Sequence, residues 1–398
     1  MRIGIFTDSY KPYTSGVVTS ICTFKEELIK LGHEVFIFAP KYPNYHEYEP
    51  DVFRYYSLPA PTNPDFSLAI PVLPGMGQQI KRLKLDIIHV QSPAIMGRVG
   101  LHYAKRFRLP IVFTYHTQYE QYTHYFPVAQ DFAKDMTVKF SRKFCDKCDH
   151  VIAPSLEILE LLNTYEVKTP ITVIPTGVPV DKFIEGNTNW LRDRYPIPAE
   201  NKILLFVGRL TREKNLEFLI ETFKKVSEQR PNTTLVITAQ GPLETELKHL
   251  AVKLGFTIDR DIVFTGAHPF DTLIKIYYAS DLFVFSSLTE TQGLVLIEAM
   301  AAGLPVAAVC ASGVSEMVED GVDGILTNLD IDELAGAICR VLGDDVLYRK
   351  FKANALLKAQ TLSSRNMALK LEEVYESLLS GRFYRPHSML DVSYWFGN

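Results

Sequence analysis

The chain has 398 residues, 47% of them hydrophobic and 22% charged, which is the composition of a folded globular protein and a length for about two or three domains. The net charge of -4 gives no ground for a nucleic-acid partner, but it conceals a local excess: residues 81–147 hold 12 Lys and Arg against 5 Asp and Glu. The chain opens as a strand, MRIGIFTD, without a basic and apolar leader, and no apolar run reaches the ~18 residues of a membrane span.

In chain order, the first half predicts short apolar strands at Ile3–Phe6, Val35–Ala39, Ile87–Val90, Ile111–Tyr115, Val151–Ala153 and Thr172–Ile174. A helix over Thr19–Leu31 follows the first of them. Composition places the domain boundary at IPTGVPVDKF, residues 174–183, with a polar stretch at 185–202. The second half repeats the pattern, with strands at Ile203–Val207, Thr234–Thr238, Ile262–Phe264, Leu282–Phe285, Val306–Ala308 and Gly324–Leu326. Helices Asn215–Glu228 and Glu244–Leu254 lie between them. Near-continuous Val, Ile, Leu and Phe fits parallel strands buried on both faces. Two sets of about six such strands imply two doubly wound α/β sheets. The expected domains are 1–178, 179–365, and a C-terminal helix with an aromatic tail over 366–398. The tail is apolar enough to dock on the protein or on a membrane surface.

Five cysteines, an odd number, fit reduced thiols in a cytoplasmic protein. Cys145 and Cys148 form one C-x-x-C with His150 nearby, too few ligands for a tetrahedral zinc site, so neither a metal nor a cofactor is expected.

Chemistry gathers at the carboxyl ends of the strands, where open α/β sheets bind ligands. After Ile3–Phe6 comes Ser15-Gly16-Val17-Val18, where Gly16 lets a ligand approach the backbone. It is not a dinucleotide fingerprint, and no Walker loop occurs. After Ile111–Tyr115 comes His116, in a position to hydrogen-bond a sugar, among Tyr115, Tyr119, Tyr122, Tyr125 and His124. That cluster suits sugar stacking, a membrane interface, or packing under a lid. Gly208-Arg209-Leu210-Thr211-Arg212-Glu213-Lys214-Asn215 follows Ile203–Val207 and brings two cations, Arg209 and Lys214, to a sheet edge. Arg offers a fork to phosphate oxygens and Lys a point charge. Glu290 follows Leu282–Phe285, and Gln292-Gly293 opens a helix from Leu294 to Ala302 that carries Glu298. Free N–H groups from Thr291 to Leu294 would face an anion. Two acids flanking an anion site suit a ligand with both phosphate and hydroxyls, such as a nucleotide sugar.

With these motifs, and with HTQ at 116–118, VIPTGV at 173–178 and SGVSEMVEDGVDGIL at 312–326, the chain resembles the retaining glycosyltransferases of family 4 over nearly its whole length. The resemblance implies the GT-B fold, two facing Rossmann-like domains with the last helix crossing back to the first. It also implies a nucleotide-sugar donor held mainly by the second domain. Arg209 and Lys214 would then hold the diphosphate, Glu298 the ribose diol and Glu290 the donor sugar. Thr291, Gln292, Gly293 and Leu294 would offer amides, Gly16 would close over the phosphates, His116 would contact the transferred sugar, and the base would rest near His268-Pro269. Three positions depart from the family's pattern: Ala239-Gln240-Gly241, Thr176, and Ser15 before Gly16.

The basic segment and YHTQYEQYTHYFP are most similar to the bacterial diacylglycerol glucosyltransferases of that family. The resemblance implies transfer of glucose from UDP-glucose to diacylglycerol, with retention and without a metal, by a protein touching the anionic inner face of the cell membrane. Lys81, Arg82, Lys84, Lys105, Arg106, Arg108, Lys139, Arg142 and Lys143 would draw it to anionic lipid, or form a solvated face. The rival readings are a mannosyltransferase using GDP-mannose with a phosphatidylinositol-type or soluble sugar acceptor, a two-domain epimerase of UDP-sugars, and a binding protein without catalysis.

Overall fold

The computed structural model describes residues 1–381 except 14, 44, 61–62, 72–73, 117–129, 184–185, 187, 291 and 312. Tyr119, Tyr122, His124, Tyr125, Thr291 and the aromatic tail therefore lie outside the described residues. Two compact units are formed, the first by residues 1–177 with 364–398, the second by 178–363.

The first unit runs β1 (Arg2–Phe6), α1 (Gly16–Lys30), β2 (Glu34–Pro40), β3 (Val52–Tyr55), β4 (Ser57–Ala60), β5 (Asn63–Ala69), α2 (Met76–Leu83), β6 (Ile87–Val90), α3 (Ile95–Phe107), β7 (Ile111–Thr114), α4 (Gln130–Cys145), β8 (His150–Ala153), α5 (Leu156–Thr164) and β9 (Ile171–Val173). Its seven-stranded parallel sheet has the order β3-β2-β1-β6-β7-β8-β9. The strands form because their apolar residues fill both faces: β6, β7 and β8 are buried at every position. Helix α1 begins three residues before the sequence expectation, because the Ser15 hydroxyl accepts the Val18 N–H at 3.3 Å and caps it. Strand β3 and the separate antiparallel hairpin β4–β5 were not foreseen. They are short or carry proline, and lack the apolar continuity that marks the other strands.

The second unit runs β10 (Lys202–Val207), α6 (Leu216–Gln229), β11 (Thr233–Thr238), α7 (Glu244–Lys253), β12 (Ile262–Phe264), α8 (Phe270–Tyr278), β13 (Leu282–Phe285), α9 (Leu294–Ala301), β14 (Val306–Val309), α10 (Val314–Met317), β15 (Gly324–Thr327), α11 (Ile331–Gly343) and α12 (Asp345–Thr361). Its parallel sheet has the order β12-β11-β10-β13-β14-β15. Asp330 and Asp344 cap α11 and α12 by accepting two backbone N–H groups each.

The chain then returns to the first unit as α13 (Ser364–Leu379), which buries Met367, Leu371, Val374 and Tyr375 at helical spacing. Tyr375 shares a 2.7 Å hydrogen bond with His89 Nδ1 on β6. Ser364 donates to Glu27 Oε1 at 3.1 Å, and His33 Nε2 meets Glu372 at 2.7 Å. Both sheets reverse strand order, between β1 and β6 in one and between β10 and β13 in the other. Ligands bind at such switch points. No helix among the described residues is long and apolar enough to cross a membrane.

Candidate functional site

In the second unit, the loops that leave β10 and β13 meet at the switch point and are joined by main-chain bonds. Leu288 N–H donates to Glu213 O at 3.0 Å, and the Ser286 hydroxyl donates to Lys214 O at 2.8 Å. A third loop, after β11, is joined to the same place, with Leu210 N–H bonded to Gln240 O at 3.2 Å. A Cβ on Gly241 would lie 2.4 Å from Leu210 O, so the one glycine left in Ala239-Gln240-Gly241 permits this contact.

On this frame Lys214 Nζ donates to Glu290 Oε1 and, at 3.4 Å, to Ser287 Oγ. The ammonium also lies 5.7 Å from the centre of the Phe285 ring. Both members of the Lys214–Glu290 pair are mostly buried, 14% and 15% exposed. Arg209 is different: its side chain is 79% exposed and 3.8 Å from Glu213. An exposed pair of that kind contributes about 0–1 kcal/mol, so little holds Arg209 back from a ligand.

Glycine supports the site at Gly313, whose φ is +72°. A Cβ there would stand 2.4 Å from Glu290 O, so the loop bearing Glu290 rests directly on this backbone. Gly293, at φ +67°, begins α9 after the buried Gln292, and Leu294 is its first residue. One turn further, Glu298 accepts the Tyr277 hydroxyl at 2.8 Å. Burial raises the Glu298 carboxyl from 4.5 to about 6, and the Tyr277 bond only partly opposes this. The carboxylate is therefore formed at neutral pH but held there at a cost. His268 stands apart after β12, edge-on to Trp190 at 5.3 Å, with a buried Nε2 that has no hydrogen-bond partner among the described residues.

The second unit thus joins Lys214 to Glu290 and seats Glu290, Gly293, Leu294 and Glu298 along one loop and helix. Arg209 flanks them on the β10 loop. His268 lies on a separate loop.

In the first unit, Gly16 is the first residue of α1, and among the described residues a Cβ on it would meet nothing within 4 Å. His116, after β7, is half-buried, and its Nε2 lies 2.7 Å from Gln91 Oε1. Desolvation lowers its pKa from 6.5 to about 4, which makes it a neutral imidazole at pH 7. Behind it, buried His89 bridges Thr114 Oγ1 and Tyr375, each at 2.7 Å. Thr176, one of the departures in sequence, donates to Ser20 Oγ at 2.8 Å. Cys145 and Cys148 are buried free thiols, Cys145 raised to about 12 by burial, and His150 bonds to Thr172. Among the described residues no group of three or more His, Cys, Asp or Glu is placed to hold a metal ion.

Sequence reasoning did not single out Tyr277, Ser287 or Gln91. Tyr277 reaches Glu298 only through helix packing, which leaves no mark in either local stretch. Ser287 and Gln91 do have a signal, since each lies just past the carboxyl end of a strand at a switch point.

Two doubly wound parallel-sheet units of this kind define the GT-B glycosyltransferase fold. Residues 14–182 match the family model Glycosyltransferase Family 4, and residues 187–358 match Glycosyl transferases group 1. The chain is 34% identical to the alpha-monoglucosyldiacylglycerol synthase of Streptococcus pneumoniae, over 97% of this chain and 88% of that one. It is 30% identical to the alpha-monoglucosyldiacylglycerol synthase of Acholeplasma laidlawii, over 95% and 98%. The chain belongs to the family 4 glycosyltransferases. The crystal structure of HepE from Anabaena in complex with UDP has the same fold, with a TM-score of 0.75 at 19% identity, covering 95% of this chain and 100% of that chain.

Proposed function

We propose that this glycosyltransferase moves a glucosyl unit from UDP-glucose to a lipid hydroxyl, that of 1,2-diacylglycerol, with retention at the anomeric carbon. The observation that carries the substrate is the near full-length likeness to two synthases of alpha-monoglucosyldiacylglycerol. An α product from an α-linked donor is retention.

Arg209 and Lys214 take the diphosphate, with the amides that open α9. The glycosidic bond to the β-phosphate breaks on the face where the acceptor oxygen attacks, and the departing phosphate oxygen takes the acceptor's proton. Charge accumulating on that phosphate meets Lys214, already held in the loop frame, and Arg209, exposed on the same loop, which gives electrostatic stabilisation without a metal. Glu290 accepts hydroxyls of the sugar, Glu298 those of the ribose, and His268 lies beside the base. Gly16 and His116 of the first unit act on the phosphates and the transferred sugar, with the neutral imidazole as a hydrogen-bond partner. The enzyme works peripherally at the inner face of the cell membrane.

The test is incubation with labelled UDP-glucose and diacylglycerol in liposomes, with and without a chelator, beside Glu290→Ala. An α-glucolipid formed in chelator and lost in the variant is the expected result. Transfer only to soluble sugars, or only from GDP-mannose, would overturn the substrate assignment.

A further inference from the structure

The hairpin β4–β5 is amphipathic the wrong way round for a soluble protein. In a strand successive side chains face opposite sides, and here the small ones face inward. Ala60, Ser67 and Ala69 are buried, and Ala69 packs in one core with Met76 and Ile80 of α2. The large apolar ones face outward: Tyr56 is 61% exposed, Leu58 63%, Leu68 38% and Ile70 42%. Leu58 is the register partner of Leu68, and Ile70 N–H donates to Tyr56 O at 2.6 Å. The four side chains are thus two cross-strand pairs on one face. A contiguous exposed apolar face of this kind marks an interaction surface.

The surroundings select the occupant. The hairpin leads within a few residues into α2, which ends in exposed Lys81, Arg82 and Lys84. Arg106, in the last turn of α3, lies against α2, with Nη1 3.6 Å from where a Gly77 Cβ would stand. Lys139 and Arg142, also in the basic segment, are already paired with Asp135 and Glu166. Phe66, two residues before Leu68, packs edge-on to Tyr13 at 5.5 Å, just before Ser15 and Gly16 at the switch point. An apolar face bordered by cations and adjoining the sheet's ligand edge has the chemistry of an interfacial anchor in anionic lipid.

We propose that the outer face of β4–β5 inserts into the acyl boundary of an anionic membrane, with the cations of α2 and α3 at the headgroups. The inference rests on the lipid-acceptor reading for its purpose. The hairpin would hold the first unit's ligand edge at the bilayer surface, where a diacylglycerol hydroxyl is presented without the lipid leaving the membrane.

The test measures binding instead of turnover, so that the two readings fail separately. Full-length protein is partitioned onto phosphatidylglycerol/phosphatidylcholine vesicles and onto phosphatidylcholine vesicles. The variant Leu58→Ser with Leu68→Ser is expected to lose at least tenfold in partition onto both, with circular dichroism and UDP-glucose binding unchanged. Lys81→Gln with Arg82→Gln should lose only the preference for anionic vesicles. A tryptophan at the hairpin, Tyr56→Trp, should be quenched by brominated lipid. Unchanged partition of the serine variant, or an unquenched tryptophan, overturns the proposal. So does a dimer that the serine variant dissociates without change in vesicle binding, which would assign the face to a second copy of the chain. Glucosylation of soluble acceptors alone, by a protein still anchored through this face, would overturn the acceptor reading and support this one.

Discussion

Replacing Glu298 with glutamine should make the ligand-free protein more stable at neutral pH while weakening the donor. The Glu298 carboxyl titrates at about 6 in the folded chain against 4.5 normally, because burial disfavours the charge more than the Tyr277 hydroxyl supports it. The folded state therefore binds this proton more tightly than the unfolded state does. The resulting stabilisation is full below pH 4.5 and is lost as pH rises through 6. At about 1.4 kcal/mol per tenfold, the loss is at most about 2 kcal/mol, with the half-buried position making this an upper bound. Glutamine keeps an acceptor for Tyr277 and carries no charge. Its stability relative to wild type should rise by up to about 2 kcal/mol between pH 4 and pH 7.5, or roughly 4–8 °C if the second unit melts as a domain of its size. The measurement is thermal unfolding of both proteins across that range without ligand. UDP-glucose binding should fall by about tenfold to a hundredfold, as for a lost charged hydrogen bond. A stability difference that stays flat with pH, or a glutamine variant less stable at pH 7.5, would refute the reasoning.

Lys214→Met should lower turnover by about 10²–10³, the effect of removing one fixed donor to a developing anion, and it leaves Glu290 buried without its partner. Combining it with Glu290→Gln in a double-mutant cycle should restore part of the lost stability and none of the activity, read from initial rates and unfolding. Gly313→Ala should cost about 1–2 kcal/mol for its φ of +72°, with a further penalty from the contact with Glu290 O; it should reduce turnover with the loop displacement. Tyr375→Phe removes the buried bond to His89 and should destabilise by about 1–3 kcal/mol in chemical unfolding, leaving UDP-glucose affinity unchanged.

The sheets were legible because each core strand is apolar on both faces, so strands such as Ile87–Val90 and Leu282–Phe285 stand out without any alternation. The site loops were legible for a related reason, since Arg209, Lys214 and Glu290 follow those strands directly. The pairing of Lys214 with Glu290 was not, because it depends on two loops 76 residues apart being joined by backbone bonds. Tyr277, which reaches Glu298 only through helix packing, was hidden in the same way. The hairpin β4–β5 is not legible in the sequence, because its large apolar residues point away from the core. The sequence places a C-terminal helix from residue 366, and its return to the first unit is an expectation of the family resemblance alone.

That return has a consequence for how the chain is made. The first unit is split in sequence: its sheet is complete by residue 173, but the core position filled by Tyr375 and the bonds to His89 and Glu27 come from α13. The second unit is continuous from 178 to 363. During synthesis the part made first must wait with an open hydrophobic seam, while the part made later can close on itself as soon as it emerges. The second unit can therefore be complete before the first, which becomes whole only when the last helix arrives.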